Sequence, residues 1–214
     1  MKAALIGATG NLGKKIIHYA QKESMEIVAF VRRPQPVEGA ETIVKDLFEL
    51  TREDLKDIDV VISAFGGGFH TDPVINEKAF QQYIELLDHT NKKLVAIAGA
   101  GSLYTDNTHT RFEYEQESHP PKLKEISKNI RQGINLIKSI RTFDWTIVCP
   151  SRFFDLQGKH SGDVLMEFDE QIIENEDGQS MVTYEDLAET MVKIATEALY
   201  PNKVVTVATR KVDI

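Results

Sequence analysis

The stretch that most constrains this chain is residues 2–16, where a short apolar run, a glycine turn and a helical pattern follow one another without interruption. Lys2 to Ile6 is too short for a helix and suits a buried strand. Gly7-Ala-Thr-Gly10-Asn-Leu-Gly13 then forms a turn poor in bulky side chains, and from Leu12 the apolar residues Leu12, Ile16, Ile17 and Ala20 recur at helical spacing. Small residues let the main chain come close to phosphate oxygens, and the free N–H groups and partial positive charge of a helix start face an anion. A glycine motif alone is weak, but this one follows a predicted strand and opens a predicted helix, the context that supports a dinucleotide diphosphate site. The spacing is Gly-x-x-Gly-x-x-Gly, with Thr9 where a typical dehydrogenase fingerprint has its second glycine. Gly7, Thr9, Gly10, Asn11 and Leu12 are the expected diphosphate contacts. The competing reading is a tight strand–helix turn with no ligand.

Strands and helices alternate along the rest of the chain. Glu26–Val31, Glu41–Val44, Asp59–Ala64, Lys93–Ala98, Trp145–Cys149 and Lys203–Ala208 read as strands, and 76–90, 122–141 and 184–199 as helices, the last capped by Thr183. Residues 103–121 read as a long irregular loop. Val164–Phe168 and Gln171–Glu174 read as a small hairpin within an elaboration spanning 151–182. The alternation predicts an α/β fold with a doubly wound parallel sheet between two helical layers, and a chain of 214 residues fits one such domain. Ligands of these sheets bind beyond the C-terminal strand ends, which here carry Gly7, Arg32, Ala64, Gly99 and Pro150.

Arg32, after the second strand, stands where an acid would bind the ribose 2′-hydroxyl of NAD and an arginine accommodates the 2′-phosphate of NADP. It points to NADPH, with NAD as the lesser possibility and a solvated surface arginine as the plain one. Asp46 could accept a hydrogen bond from the adenine amino group or be a turn acid; Ala64, Phe65 and Gly66 would pass near the adenosine ribose. For chemistry the sequence offers less. Short-chain dehydrogenases use Tyr-x-x-x-Lys, the lysine lowering the tyrosine pKa for proton transfer. Here Tyr19, Tyr83, Tyr104, Tyr114, Tyr184 and Tyr200 are followed four residues on by Glu23, Leu87, Thr108, Ser118, Ala188 and Val204, so the pair is absent. Ser102, at the end of a strand, is the remaining catalytic candidate, contacting substrate or the nicotinamide amide; the alternative is a turn serine.

Other classes fall away on charge and composition. A net charge of −8 argues against nucleic acid and anionic lipid as partners. The single cysteine, Cys149, excludes an intramolecular disulfide and reads as a small buried residue. The histidines lack metal-ligand spacing, and neither a membrane span nor a signal peptide is evident, so the expectation is a soluble cytoplasmic protein, monomer or homodimer, without a metal.

With Ile6–Gly13, Phe30–Pro34, Asp59–Ala64, Ala98–Leu103, Phe143–Val148 and Tyr184–Ala188 taken together, the chain resembles an atypical short-chain dehydrogenase/reductase. It is similar to the NAD(P)H-binding group that includes NADH-flavin reductases and biliverdin-IXβ/flavin reductases, and is related to the NmrA-like proteins. The resemblance implies NADP or NAD bound along Gly7–Leu12, Arg32 and the Ala64 turn. It also implies direct hydride transfer to a bound flavin or tetrapyrrole, which needs no Tyr-x-x-x-Lys pair, and the reading it leads to is an NADPH-binding oxidoreductase with a small flavin-like or quinone-like aromatic acceptor held as substrate. Such relatives often carry Pro-Pro before the substrate loop; this chain departs from them with Pro150-Ser-Arg-Phe153. Pro150, Arg152 and Phe153 would flank the nicotinamide and the acceptor, and loop 103–121 would be a lid. The alternative from another class is a non-catalytic NADP(H)-binding redox sensor of the NmrA-like type. A sugar-nucleotide epimerase is disfavoured by the missing tyrosine–lysine pair.

Overall fold

The alternation of side chains in the first strand explains the layering. β1 (Lys2–Ile6) sends Ala4 and Ile6 to one apolar core and Ala3 and Leu5 to another, so it is covered on both faces. The computed structural model describes residues 1–211. After β1 come α1 (Asn11–Lys22), β2 (Glu26–Val31), β3 (Glu41–Val44), β4 (Val60–Ser63), α2 (Val74–Leu87), β5 (Lys93–Ile97), α3 (Pro121–Ile137) and β6 (Asp144–Pro150). Then follow β7 (Phe153–Asp155), β8 (Val164–Glu167), β9 (Met181–Thr183), α4 (Tyr184–Glu197) and β10 (Lys203–Thr209). Eight strands form one sheet in the order β3-β2-β1-β4-β5-β6-β10-β8, parallel except for β8, which runs antiparallel to β10. Helices α1 and α4 cover one face and α2 and α3 the other, which is the α/β, Rossmann-like arrangement predicted from the alternation. The strand order reverses between β1 and β4, and this is the switch point beyond which such sheets bind ligands.

Two expectations change. The hairpin of 164–168 with 171–174 does not form. β8 instead pairs along β10, in the register Glu167↔Thr206 to Val164↔Thr209, while Gln171 bridges to Tyr104. The chain turns at Glu170, whose φ is 56°; its carboxylate pairs with Arg131 and Lys138 on and beside α3, and the main chain of Glu170 and Ile172 hydrogen-bonds to Tyr104. Nor is the segment 103–121 irregular throughout. Tyr104 bridges to Phe112, a 3₁₀ turn spans Glu113–Glu115, and the rings of Tyr104, Phe112 and Tyr114 stack in succession. The Arg131 guanidinium lies over two of those rings, 5.1 Å from Tyr104 and 4.7 Å from Phe112. The remaining small sheet pairs β7 in parallel with β9, with Phe154 opposite Val182. Thr183 caps α4 as the sequence predicts, its hydroxyl accepting from the Asp186 N–H at 3.0 Å.

Candidate active site

The glycine turn is shaped by two close approaches of main chain to main chain. Gly7 has φ +82°, and a Cβ there would lie 2.6 Å from the Ala64 carbonyl oxygen at the end of β4. A Cβ on Gly13 would lie 2.2 Å from the Gly7 carbonyl oxygen, so the first turn of α1 rests directly on the end of β1. Gly10 donates to the Gly7 carbonyl at 3.0 Å and serves as the N-cap of α1. That helix start has no side-chain cap and no acid in its first turn, which leaves N–H groups and the positive end of the helix dipole for an anion.

Beyond the strand ends the surface opens into two crevices that share Gly10, Ala64, Phe65 and Gly66. One, about 210 Å³, is bounded by Gly7, Thr9, Arg32 and Asp46. The other, about 340 Å³, is bounded by Asn11, Leu12, Ala98, Phe154 and Tyr184. Two lobes joined at a bare helix start, with main chain exposed where a Cβ would not fit, match a ligand with two ring systems on either side of a diphosphate. Among the described residues the Arg32 guanidinium has no acid or carbonyl partner, so it faces the first lobe as an unneutralised cation. Asp46 already caps a 3₁₀ turn, accepting from the Phe48 N–H at 3.0 Å while Glu49 accepts from its own N–H. The neighbouring Lys45 is held by Asp54 at 2.6 Å. Asn76 accepts from the Gly67 N–H at 3.1 Å and so fixes the glycine run after β4.

Not every residue singled out in the sequence comes to these crevices. Ser102 is wholly buried, lines neither crevice, and its hydroxyl donates to the Gly99 carbonyl at 2.7 Å, closing a 3₁₀ turn. Pro150 ends β6, is buried, and is not among the residues lining either crevice. Arg152 turns to the buried Glu113, its guanidinium donating to both carboxylate oxygens at 2.8 and 3.1 Å, and so ties β7 to the 103–121 segment. Phe153 is 74 % exposed, and it is the next residue, Phe154, that lines the second lobe. In a strand adjacent side chains point to opposite sides, so Phe153 and Phe154 of β7 face different ways. Tyr184, also missed, opens α4 and stacks on Phe154 with parallel rings and centroids 3.5 Å apart. An aromatic residue directly after the Thr183 cap was the available signal.

The second lobe offers little acid–base chemistry. Tyr83 hydrogen-bonds Ser63 at 2.6 Å, and burial pushes its phenol well above the ordinary range. Burial likewise raises Tyr184. Among the described residues no group of three or more His, Cys, Asp or Glu is placed to hold a metal, and no helix is long and apolar enough to cross a membrane.

Comparison with known proteins agrees with this geometry. Residues 7–198 match the family model described as NAD(P)H-binding. The uncharacterized protein YwnB of Bacillus subtilis is 31 % identical over 190 residues, 88 % of this chain and 89 % of that one. The crystal structure of SP1627 from Streptococcus pneumoniae, named a putative NADH-flavin reductase, is 31 % identical with a TM-score of 0.89, covering 98 % of this chain and 99 % of the other. The Lactococcus lactis oxidoreductase ylbE shares the fold at 17 % identity and a TM-score of 0.71, covering 99 % of this chain and 92 % of its own. With a family model matched over most of its length and a switch-point crevice of the right shape, the chain belongs to the NAD(P)H-binding family of Rossmann-like, atypical short-chain dehydrogenase/reductase proteins.

Proposed function

We propose that the protein is an NADPH-dependent oxidoreductase that passes hydride to a flavin-like or quinone-like acceptor bound as substrate. The observation that carries this reading is the two-lobed crevice joined at the bare start of α1, whose second lobe is walled by aromatic side chains. The name given to SP1627, a relative covered almost end to end, supports the same reaction class. Main-chain amides from Gly7 to Leu12 hold the diphosphate, and Thr9 and Asn11 flank it. Arg32 selects the 2′-phosphate, while Asp46, Ala64, Phe65 and Gly66 enclose the adenosine. Leu12, Ala98 and Phe154 position the reactive ring and keep water from one side of it. When bound, a reduced nicotinamide supplies two electrons and a proton as hydride, and the acceptor draws its second proton from water. An electrophilic ring acceptor needs orientation more than acid catalysis, so the lack of a poised tyrosine is compatible with turnover.

The same lack of an acid or base in the second lobe favours one other reading, a sensor that binds NADP(H) without turning it over. Loss of NADPH absorbance at 340 nm in the presence of riboflavin, FMN or menadione, alongside calorimetry with NADPH and NADH, separates the two. Binding with turnover supports the reductase and binding without turnover the sensor. No nucleotide binding rejects both.

A further inference from the structure

We infer that Asn76 and Tyr83 of α2 are positioning residues for the nucleotide: acting through Ser63 on one side and Gly67 on the other, they hold Ala64, Phe65 and Gly66, the stretch of wall that both crevices share. This rests on the nucleotide-binding reading above and gives α2 a task in it.

α2 packs an otherwise apolar face on the sheet, with Ala79, Phe80, Leu86 and Leu87 buried, yet Asn76 and Tyr83 stand on it at 5 % and 2 % exposure. They lie about two turns apart and so share one side of the helix. Buried polar groups are costly unless bonded, and both are bonded to the loop that leaves β4. The Tyr83 phenol hydrogen-bonds the Ser63 hydroxyl at 2.6 Å, and the Ser63 oxygen accepts from the Phe65 N–H at 3.2 Å. The Asn76 carboxamide accepts from the Gly67 N–H at 3.1 Å and donates to the Pro73 carbonyl at 3.0 Å, which fastens it to the start of its own helix. A Cβ on Gly67 would lie 2.6 Å from the Ile75 side chain and 3.0 Å from that of Asn76, so the loop rests directly on α2.

The N–H groups after Ala64 are therefore not equivalent. Those of Phe65 and Gly67 are taken, and among the described residues that of Gly66 has no partner. Gly66 lines both crevices, as does Gly10 at the bare start of α1. Holding its two neighbours fixes the one free donor of the strip at the junction of the crevices. Ala64 itself is tied to β1, its N–H donating to the Ile6 carbonyl at 2.9 Å, so the wall is anchored to the sheet at one end and to α2 at the other. Apolar side chains would pack this face of α2 as well; what the polar pair adds is a fixed loop geometry.

The test is calorimetry with NADP⁺ on Tyr83→Phe and Asn76→Ala, at a temperature where circular dichroism shows each to be folded. Each is expected to weaken NADP⁺ about tenfold, the amount that one hydrogen bond can carry. Tyr83 acts through Ser63, so Tyr83→Phe added to Ser63→Ala should cost no further affinity. A role in packing alone would lower the melting temperature and leave NADP⁺ affinity as in the wild type. That result in either variant overturns the proposal, as does a further loss in the double variant. Tyr83→Phe removes one oxygen and keeps the ring, so the test stands even if Asn76→Ala fails to fold. Absence of NADP⁺ binding to the wild type overturns the parent reading, and this one with it.

Discussion

Replacing the glycines of the first turn one at a time separates what the fold needs from what the ligand needs. In Gly13→Ala the new methyl would lie 2.2 Å from the Gly7 carbonyl oxygen and 2.7 Å from the Ala8 Cα, both main-chain atoms that no rotamer change can move. The helix must lift away from β1, loosening Ile16, Ile17 and Ala20, which are buried on its inner face. Overpacking of this kind costs roughly 3 kcal/mol, and the better helix propensity of alanine returns roughly 1, leaving about 2 kcal/mol of destabilisation. For a chain of this size that lowers the melting temperature by roughly 4–8 °C. Gly10→Ala differs. Only the Gly7 carbonyl lies near its added methyl, at 3.3 Å, and its φ of −75° suits any residue, so the loss is the weaker N-cap, about 0.5 kcal/mol. Its effect should fall on NADP⁺ affinity, reduced about tenfold or more because the methyl stands over the diphosphate path. Circular dichroism melts and calorimetry with NADP⁺ read the two quantities separately. A Gly13→Ala protein that melts with the wild type would refute the close approach of α1 to β1. A stable Gly10→Ala protein with wild-type affinity would refute the path of the diphosphate.

Three further outcomes follow from side chains already placed. Arg32→Ala should weaken NADPH binding by roughly 1.5–2 kcal/mol, about tenfold or somewhat more, and leave NADH unchanged in calorimetric titrations. Asp186 is fully buried; burial raises its pKa, but the Thr209 hydroxyl, the Ser161 hydroxyl and the N–H groups of Gly162 and Ser161 bring the net value below the ordinary 3.8. A carboxylate depressed in this way stabilises the fold above its unfolded pKa and loses that contribution as pH falls through the folded value. Acid titrations should therefore show a decline below about pH 4 that is shallower in Asp186→Asn, itself less stable at neutral pH. Cys149 is buried, and burial pushes its thiol up to about 12, so a disulfide reagent should label it only after unfolding.

The parts of the molecule legible in the sequence are those fixed by neighbours in the chain. The glycine turn, the Thr183 cap and the seven parallel strands each carry a local signal: a change of period, a capping residue, a short apolar run. What was not legible depends on partners far away. β8 finds β10 about forty residues later, while the residues after it pair with Tyr104 and Glu170 is held by Arg131 and Lys138, all partners distant in the chain. A three-residue strand such as β7 has too few side chains for alternation to declare which face is buried, so nothing in the sequence singles out Phe154 as a crevice residue. The order in 103–121 likewise depends on Arg131 reaching back from α3 to the rings of Tyr104 and Phe112. Of the two crevices, the helix-start side was readable because it is built from main chain; the wall of the larger one was not, because it is built from side chains brought in from β7 and α4.

That division of labour has an evolutionary reach. The two-stranded β7–β9 ribbon carries Phe154 outside the main sheet; its β9 strand is fixed by Val182, buried in the core, and by Thr183, which caps α4, so the exchangeable half is β7. The wall of the second crevice can therefore change at β7 while the eight-stranded sheet stays as it is, and exchanging β7 alone should alter what that crevice admits without altering nucleotide affinity.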